Sequence, residues 1–142
     1  MRADFPLPDR SEPLTAGYWE AAARGELAIP KCVGCGRWVW YPAPECAACG
    51  GADMPWTRTA GHGELYAWTT VHHTFLPEYA DLVPYTVGLV ALDEGPLLRV
   101  PARLIADAGT LAIGMRMHVQ FEPLVFAGVT GSVPAPCFRP ES

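Results

Sequence analysis

Four cysteines in two closely spaced pairs constrain the fold of this chain more than any other feature. Cys32 and Cys35 form one Cys-x-x-Cys pair, Cys46 and Cys49 form the second, and ten residues lie between the pairs. The two-residue gap lets a tight turn aim both thiolates at one centre, and a glycine follows each pair. Four thiolates suit tetrahedral Zn²⁺, so the spacing predicts a structural zinc ion held by these four cysteines.

Disulfide bonding, a redox-active Cys-x-x-Cys motif and an iron site are the alternatives for the same cysteines. Disulfides belong to oxidising compartments, and residues 1–6 lack the apolar segment of a secretion signal. A thioredoxin-like motif would occur once, at a strand-to-helix junction, and not twice around a proline-containing hairpin. Because a site closed by four protein ligands has no open coordination position, we expect the metal to stabilise the fold and not to catalyse.

The composition limits the class of partner. The chain has 142 residues, of which 50% are hydrophobic and 18% charged, as expected for a globular protein. Its formal net charge is −5, whereas nucleic-acid binding normally requires a basic excess. No run approaches the ~20 apolar residues that a membrane helix needs. We therefore expect a cytoplasmic protein that has neither a nucleic acid nor a membrane as its partner.

The segment before the first cysteine predicts a helix. Residues 15–24 favour helical structure, and Gly25 provides a stop signal at its end. Tyr18 and Trp19 give this helix an apolar stripe, which would contact either the zinc module or a partner subunit. Residues 26–30 are predicted to form a short strand that leads into the first cysteine pair.

The segment between the cysteine pairs is unusually aromatic. Residues 38–42 are predicted to form a β-run that ends at a proline. Trp38 and Trp40 lie close to a small zinc hairpin and need a surface to pack on. They would either cover the metal site or form a surface for a partner or ligand.

From Trp56 onward the hydrophobic pattern changes to the period of two that is typical of strands. Turn signals separate five predicted strands, at residues 64–72, 85–92, 97–105, 115–121 and 133–138. Pro101 in the third of these indicates a bulge or an edge position. A small closed barrel would leave no strand edge unpaired, and the oligonucleotide/oligosaccharide-binding (OB) barrel is the size-matched expectation.

The predicted fold is therefore mainly β. We expect an N-terminal arm and docking helix at residues 1–28, a zinc ribbon at 29–58 and a small antiparallel OB-fold barrel at 59–142. A barrel of this size is filled by its own side chains, so a direct carrier of acyl-CoA or lipid is disfavoured.

The sequence predicts no catalytic residue. His72 and His73 are adjacent on a predicted strand, where neighbouring side chains point to opposite faces, and no Asp or Glu stands at a recognisable spacing to orient a base. The two histidines and Phe75 would be either ordinary strand-end residues or contacts for a partner or acyl group. Cys137, a lone thiol, is expected to be a packing residue.

An ordered set of motifs resembles a known protein family. The motifs are Tyr18-Trp19-Glu20-Ala21, the two Cys-x-x-Cys-Gly knuckles with Tyr41-Pro42 between them, Gly63-Glu64-Leu65-Tyr66, Thr70-Val71-His72, Pro84-Tyr85, Leu92-Asp93-Glu94-Gly95-Pro96, Ile113-Gly114-Met115 and Phe138-Arg139-Pro140. From about residue 14 to residue 140 the chain resembles the DUF35 family, whose members join a rubredoxin-like zinc ribbon to an OB-fold. Pro101 is a departure, since the family usually has an uninterrupted strand there.

The resemblance implies a companion of acyl-CoA enzymes. Members of the family pair with thiolase-like proteins, among them archaeal acetoacetyl-CoA thiolase with hydroxymethylglutaryl-CoA synthase, bacterial acyltransferases, and aldolases that remove steroid side chains. In the aldolases the domain is often fused to a MaoC-like hydratase. The thiolase-like partner carries the catalytic residues in such complexes, and the zinc-ribbon subunit completes the assembly and its coenzyme A or acyl channel.

The expectation for this chain is a non-catalytic subunit in a hetero-oligomer with a thiolase-like protein of lipid or steroid metabolism. It would meet acyl-CoA through that complex, and association with a MaoC-like hydratase is a further implication. The expected contacts with the partner or with acyl-CoA are Tyr18, Trp19, Trp38, Trp40, His72, His73 and Phe75. The alternative is a nucleic-acid-binding zinc-ribbon and OB module, because both folds also serve that role.

Overall fold

A computed structural model describes residues 2–95 and 97–141 of the chain. It contains one α-helix, seven strands and two short 3₁₀ turns within that part of the sequence, so the mainly β prediction is confirmed. The elements are α1 (Ala16–Ala23), β1 (Ala28–Pro30), β2 (Trp56–Arg58), β3 (His62–Val71), β4 (Tyr85–Leu92), β5 (Arg99–Leu104), β6 (Arg116–Leu124) and β7 (Val133–Pro140), with 3₁₀ turns at Pro77–Tyr79 and Ala108–Thr110. Pro96, which belongs to a predicted turn, lies outside the described residues.

Strands β3 to β7 close into a five-stranded barrel. The order around the barrel is β3-β4-β5-β7-β6, and β6 pairs with β3 to close it. Neighbouring strands are antiparallel except for β5 and β7, which pair in parallel over a short stretch. This is the Greek-key arrangement of an OB-fold, so the predicted barrel is confirmed.

The side chains that fill the barrel follow the alternation that the sequence predicts. Burial alternates strictly along β4, and the interior centres on Leu65, Val90, Met117 and Phe138, each at most 1% exposed. Burial of such side chains stabilises the fold by about 1.5–3 kcal/mol each. The barrel interior is therefore packed core and not a ligand cavity.

The third barrel strand shows how Pro101 is accommodated. Pro101 pairs with Leu89 of β4, whereas pairing of β5 with β7 begins only at Arg103. The side of β5 away from β4 consequently has no strand partner at the proline. A residue without an N–H group is tolerated at such an edge position.

Helix α1 lies between the barrel and the ribbon strands. Its residues Ala21 and Ala22 are fully buried, and the helix packs against β7, β1 and β2. Strands β1 and β2 pair with each other and flank the cysteine segment in sequence. The described part of the chain contains no helix with the length and apolar character needed to cross a bilayer.

The predicted aromatic β-run at residues 38–42 is wrong. Only Trp38 pairs, in an isolated bridge with Lys31, and the following residues are irregular. The Val39 N–H donates to the Pro30 carbonyl at 2.8 Å, after which the chain leaves β1 and Pro42 supplies no N–H group for further pairing. The segment thus connects the two knuckles without forming a strand.

The N-terminal arm is attached to the barrel. Leu7 is 3% exposed and packs with Phe126 and Val133 in a second, smaller apolar cluster, to which Trp19 also contributes. The sequence predicts an N-terminal arm here but does not indicate what the arm contacts. Burial of Leu7 fixes it against α1 and the far end of β6.

Candidate metal centre and neighbouring surfaces

The four cysteine sulfurs converge on one point. Their Sγ atoms all lie within 4.8 Å of one another, with Cys32 and Cys49 at 3.5 Å and Cys35 and Cys46 at 3.7 Å. A tetrahedral site with Zn–S bonds of about 2.3 Å has sulfur–sulfur edges of about 3.8 Å. A disulfide needs about 2.05 Å between sulfurs, and all four cysteines are free thiols here. The residues fit a Zn²⁺ ion.

The two knuckles have the same backbone geometry. Gly36 donates its N–H to the Cys32 carbonyl and Gly50 donates to the Cys46 carbonyl, both at 2.8 Å. The two glycines adopt φ values of +76° and +75°, which a residue with a side chain adopts only with strain. The glycine after each pair therefore supplies the backbone conformation that closes the turn.

Electrostatics within the cluster favour a bound cation. Backbone N–H groups of Cys49 and Ala48 lower the pKa of Cys46 to about 7. The Gly51 N–H also favours the thiolate of Cys49, but the neighbouring thiols of Cys32, Cys35 and Cys46 raise its pKa to about 11. Four thiolates this close repel one another unless a dication neutralises them, and that is what Zn²⁺ would do when bound.

The two ribbon tryptophans join the ribbon to the barrel. Trp38 and Trp40 are both half-buried and pack against the main barrel core. The Lys31 Nζ lies 5.0 Å from the Trp38 ring centroid, and the Trp40 ring lies 5.3 Å from that of Tyr18. The sequence considered two roles for them, cover for the metal site and a surface for a partner or ligand, and this packing on the barrel is a further one. Partner contact by these residues stays a prediction.

A cleft separates the ribbon from the turn between β4 and β5. Its volume is about 570 Å³. Its large apolar lining residues include Trp38, Trp40, Tyr41, Leu97 and Leu98. Tyr41 and Leu97 are 61% and 66% exposed, so the cleft presents apolar surface to solvent.

The helical aromatic residues face inward. The Tyr18 ring lies 5.1 Å from Trp19 and 6.4 Å from Trp56, and burial raises its pKa. Trp19 packs against the cluster that holds the N-terminal arm. Both side chains are thus used largely inside the chain, and their expected contact with a partner stays a prediction.

The loop after β3 presents the most exposed aromatic side chain of those described. Phe75 is 91% exposed, and the His73 ring packs edge-on to it at 4.9 Å between centroids. Thr74 orders the turn, since its Oγ1 accepts from the Leu76 N–H and donates to the Leu76 carbonyl, both at 3.1 Å. Because β3 ends at Val71, the expectation that two adjacent histidines alternate on a strand does not apply.

Sequence reasoning missed a second cavity, of about 280 Å³. It lies between the N-terminal arm, α1, the loop before β4 and the end of β6. Its lining residues are Pro6, Pro8, Trp19, Tyr79, Leu82, Tyr85, Arg103, Leu124 and Phe126. No spacing rule connects these positions, because they come from five separate segments of the chain.

A cluster of charged and polar side chains lies on the exposed surface of the barrel. Arg116 donates to both carboxylate oxygens of Asp93, at 2.9 and 2.6 Å, and His62 contacts Glu141. These contacts connect β3, β6, the turn after β4 and the C-terminal residues. Among the described residues that line the two cavities there is no histidine or cysteine.

Two family models match consecutive parts of the chain. Residues 19–55 match the rubredoxin-like zinc ribbon domain of ChsH2, and residues 56–122 match the C-terminal OB-fold domain of ChsH2. The first range contains all four cysteines, and the second contains most of the barrel. The ribbon match and the converging sulfurs together identify a structural zinc site.

Two relatives extend these matches. A "DUF35 domain-containing scaffold protein" of Methanothermobacter thermautotrophicus is 28% identical over 115 residues, which cover 78% of this chain and 82% of that protein. A "Probable enoyl-CoA hydratase alpha subunit" of Thermomonospora curvata is 37% identical over 83 residues, which cover 58% of this chain. The matched part spans only 25% of the Thermomonospora protein.

Two solved structures share the architecture. A chain of the "Ltp2-ChsH2(DUF35) aldolase" superimposes with a TM-score of 0.74 at 31% sequence identity, and the alignment covers 95% of this chain and 98% of that one. A DUF35 protein of unknown function from Sulfolobus solfataricus superimposes with a TM-score of 0.58 at 11% identity, covering 94% and 89% of the two chains. The second likeness concerns the fold alone.

Proposed function

The chain belongs to the DUF35 family of proteins that join a zinc ribbon to an OB-fold barrel, and on that premise we propose that it is a non-catalytic partner subunit of an acyl-CoA enzyme complex. The observation that supports this proposal best is the alignment over nearly the whole length with a chain of the Ltp2-ChsH2(DUF35) aldolase. The names of the two curated relatives, a scaffold protein and a hydratase subunit, support the same class of function.

The distribution of exposed apolar side chains supports a role in assembly. The chain has a packed core, yet the large side chains of Phe75 and Leu97 lie outside it and are 91% and 66% exposed. Neighbouring exposed apolar side chains that form a patch mark an interaction surface, as Phe75 does with Leu76 and as Leu97 does with Tyr41 across the cleft. The ordered Phe75 loop and the cleft beside Tyr41 are therefore the surfaces that we assign to a partner protein.

We infer a thiolase-like protein that supplies the catalytic residues, in a hetero-oligomer in which this subunit helps to form the CoA or acyl channel. The name of the structural relative, an aldolase, favours carbon–carbon bond cleavage over the other thiolase-type reactions. Among the reactions that the family resemblance implies, this one is the removal of steroid side chains. Association with a MaoC-like hydratase is the corresponding proposal from the Thermomonospora relative.

The residues singled out from the sequence would have three different roles in such a complex. Cys32, Cys35, Cys46 and Cys49 would hold zinc and so hold the ribbon in shape. Phe75, with His73 and His72 beside it, would meet the partner directly. Tyr18, Trp19, Trp38 and Trp40 would act mainly by fixing the ribbon and helix against the barrel. We also propose the division at residues 28 and 58 into arm with helix, ribbon and barrel.

Co-expression with a thiolase-like protein encoded in the same genome tests the proposal. We expect the two chains to co-purify and to elute as one hetero-oligomer, and we expect acyl-CoA turnover only when the partner is present. Turnover by the zinc-loaded chain alone, or separate elution of the two proteins at micromolar concentration, would contradict the proposal.

A matched pair of variants locates the interface. Phe75→Asp should weaken association at least tenfold, because a charge cannot replace a buried aromatic anchor. Ile113→Asp is the control, since Ile113 is also exposed, at 68%, and lies in a different loop. Equal loss of binding in both variants would argue against the Phe75 loop as the specific contact.

A further inference from the structure

The second cavity has the lining of a small-molecule site. Eight of its nine lining residues are proline, aromatic or leucine side chains, and Arg103 is the ninth. Ligand sites typically combine mostly apolar walls with a few polar groups that fix orientation. At about 280 Å³ the cavity lies just below the usual size of drug-sized sites, so its occupant would be small.

The walls of the cavity are fixed by contacts within the chain. The Tyr79 ring stacks near Tyr85 at 6.2 Å and packs on Phe126 at 4.9 Å between centroids. Trp19 and Leu82 pack against the same apolar cluster. Since these contacts hold the aromatic walls in place, the cavity is formed before any ligand arrives.

Arg103 is the one cation among the described residues that line the cavity, and no counter-ion pairs with it there. Within residues 2–95 and 97–141, the Arg103 guanidinium takes part in none of the ion pairs and donates no side-chain hydrogen bond. Its position on β5 is exposed, so water solvates it when the site is empty. A guanidinium beside apolar walls favours an anion that carries an apolar body, and a carboxylate matches its planar donor geometry.

We propose that this cavity binds the apolar body of a small carboxylic acid, with the carboxylate paired to Arg103. The site is separate from the zinc ribbon and from the cleft beside Tyr41, with which it shares no lining residue. The cavity lies outside the barrel, so a ligand can bind there although the barrel interior is filled by its own side chains. The inference rests on the cavity and its charge alone and does not depend on the proposed partner.

Titration of the zinc-loaded chain with sodium octanoate tests the proposal directly. Two-dimensional ¹H–¹⁵N spectra should show saturable shifts at the Trp19 indole N–H and at the backbone amides of Tyr85 and Phe126. 1-Octanol has the same chain without the charge, so it should produce shifts at the same positions with at least tenfold weaker affinity. Absence of saturable shifts at these groups would overturn the proposal.

Two arginine variants isolate the role of the charge. Arg103→Gln should weaken octanoate binding about tenfold, since a charge-assisted hydrogen bond is lost, and should leave octanol binding unchanged within about twofold. Arg37→Gln is the matched control, because Arg37 lines the other cavity. Equal weakening by both variants, or octanoate binding unaffected by Arg103→Gln, would show that the anion is not held here.

A third variant tests the apolar part of the site. Leu82→Trp should fill the cavity and abolish the shifts for both octanoate and octanol, while the melting temperature shows whether the variant folds. If it does not fold, the octanoate–octanol comparison on the unaltered chain still decides the case. Retained binding in a folded Leu82→Trp variant would place the ligand elsewhere and refute the assignment.

Discussion

The ring centroids of Tyr18 on α1 and Trp40 in the ribbon lie 5.3 Å apart. Trp40 also packs against the main barrel core, and Tyr18 reaches Trp56 of β2 at 6.4 Å between centroids. Helix, ribbon and barrel therefore share one aromatic contact. A destabilising substitution in the ribbon should therefore lower the free energy of unfolding of the whole chain, and not only of the segment around the cysteines.

Removal of the Trp40 ring should consequently destabilise the barrel. We expect Trp40→Ala to lower the free energy of unfolding by about 2 kcal/mol, less than the 3–5 kcal/mol typical of a fully buried aromatic, because Trp40 is half-buried. Phe75→Ala is the control, and its 91% exposure should keep the loss within about 0.5 kcal/mol. Urea titration with zinc in excess measures both. Equal losses would mean that the ribbon and barrel are not coupled through Trp40.

Loss of the metal should have a larger effect. Zinc binding in such sites contributes on the order of 10 kcal/mol, so Cys46→Ser should drop the zinc content from one ion per chain to near zero and unfold the ribbon. Cys137→Ser is the matched control. Cys137 is buried in β7, its Sγ donates to the Gln120 carbonyl at 3.3 Å, and burial raises its pKa.

Elemental analysis and circular dichroism distinguish the two cysteine variants. The Cys137→Ser protein should retain its zinc and lose about 1 kcal/mol of stability. Chelation of the unaltered chain should reproduce the Cys46→Ser spectrum. Full zinc content in Cys46→Ser would contradict the four-cysteine site.

The parts of the fold that could be predicted from the sequence are those set by local rules. The cysteine spacing predicted the metal site because two residues between thiols fix a turn regardless of its surroundings. The alternation along β4 predicted its bounds at Tyr85 and Leu92 because one face of that strand is buried throughout. Helix propensity predicted α1, and the need to pair every strand edge predicted a closed barrel.

The parts that could not be predicted depend on contacts between distant segments. Residues 38–42 have high strand propensity, but their neighbour is Pro30 at the end of a three-residue strand, and no further partner is within reach. Trp19 gives the same helical stripe whether its contact is a partner or its own chain. The second cavity, which joins Pro6 to Phe126, has no local pattern at all.

The ion pair between Asp93 and Arg116 should make a small, pH-dependent contribution to stability. The Arg116 guanidinium donates hydrogen bonds to the Asp93 carboxylate, and these hold the pKa of Asp93 below 3.8 in the folded chain. Because the folded pKa is depressed, the contribution is fully present above the unfolded value and is lost as the pH falls through the folded pKa. Both side chains are more than 40% exposed, so solvent screening keeps the effect small.

The variant Asp93→Asn tests this contribution. Its melting temperature should lie slightly below that of the unaltered chain at pH 7, and the difference should vanish as the pH falls well below 3.8. Salt at about 1 M should reduce the difference at pH 7, because it screens exposed charges. A difference that grows on acidification would contradict the assignment of the pair.

Glycine at position 63 should be required for closure of the barrel. A Cβ atom there would lie 2.3 Å from the Ala91 carbonyl oxygen on the neighbouring strand β4 and 2.9 Å from Val90 Cγ1. Neither the backbone oxygen nor the buried valine can move without breaking the pairing between β3 and β4 that includes Gly63 and Leu92. We expect Gly63→Ala to cost about 3 kcal/mol, the upper end of the overpacking range.

Gly109 supplies the matched control for this substitution. Its added Cβ would meet only the Asp107 side chain, at an ordinary 3.6 Å, in an exposed turn. Gly109→Ala should therefore leave the stability unchanged or raise it by about 0.5 kcal/mol, since alanine restricts the unfolded chain. Thermal unfolding of the two zinc-loaded variants side by side measures the contrast. If Gly63→Ala were as stable as Gly109→Ala, β3 and β4 could not pack as closely as the barrel requires.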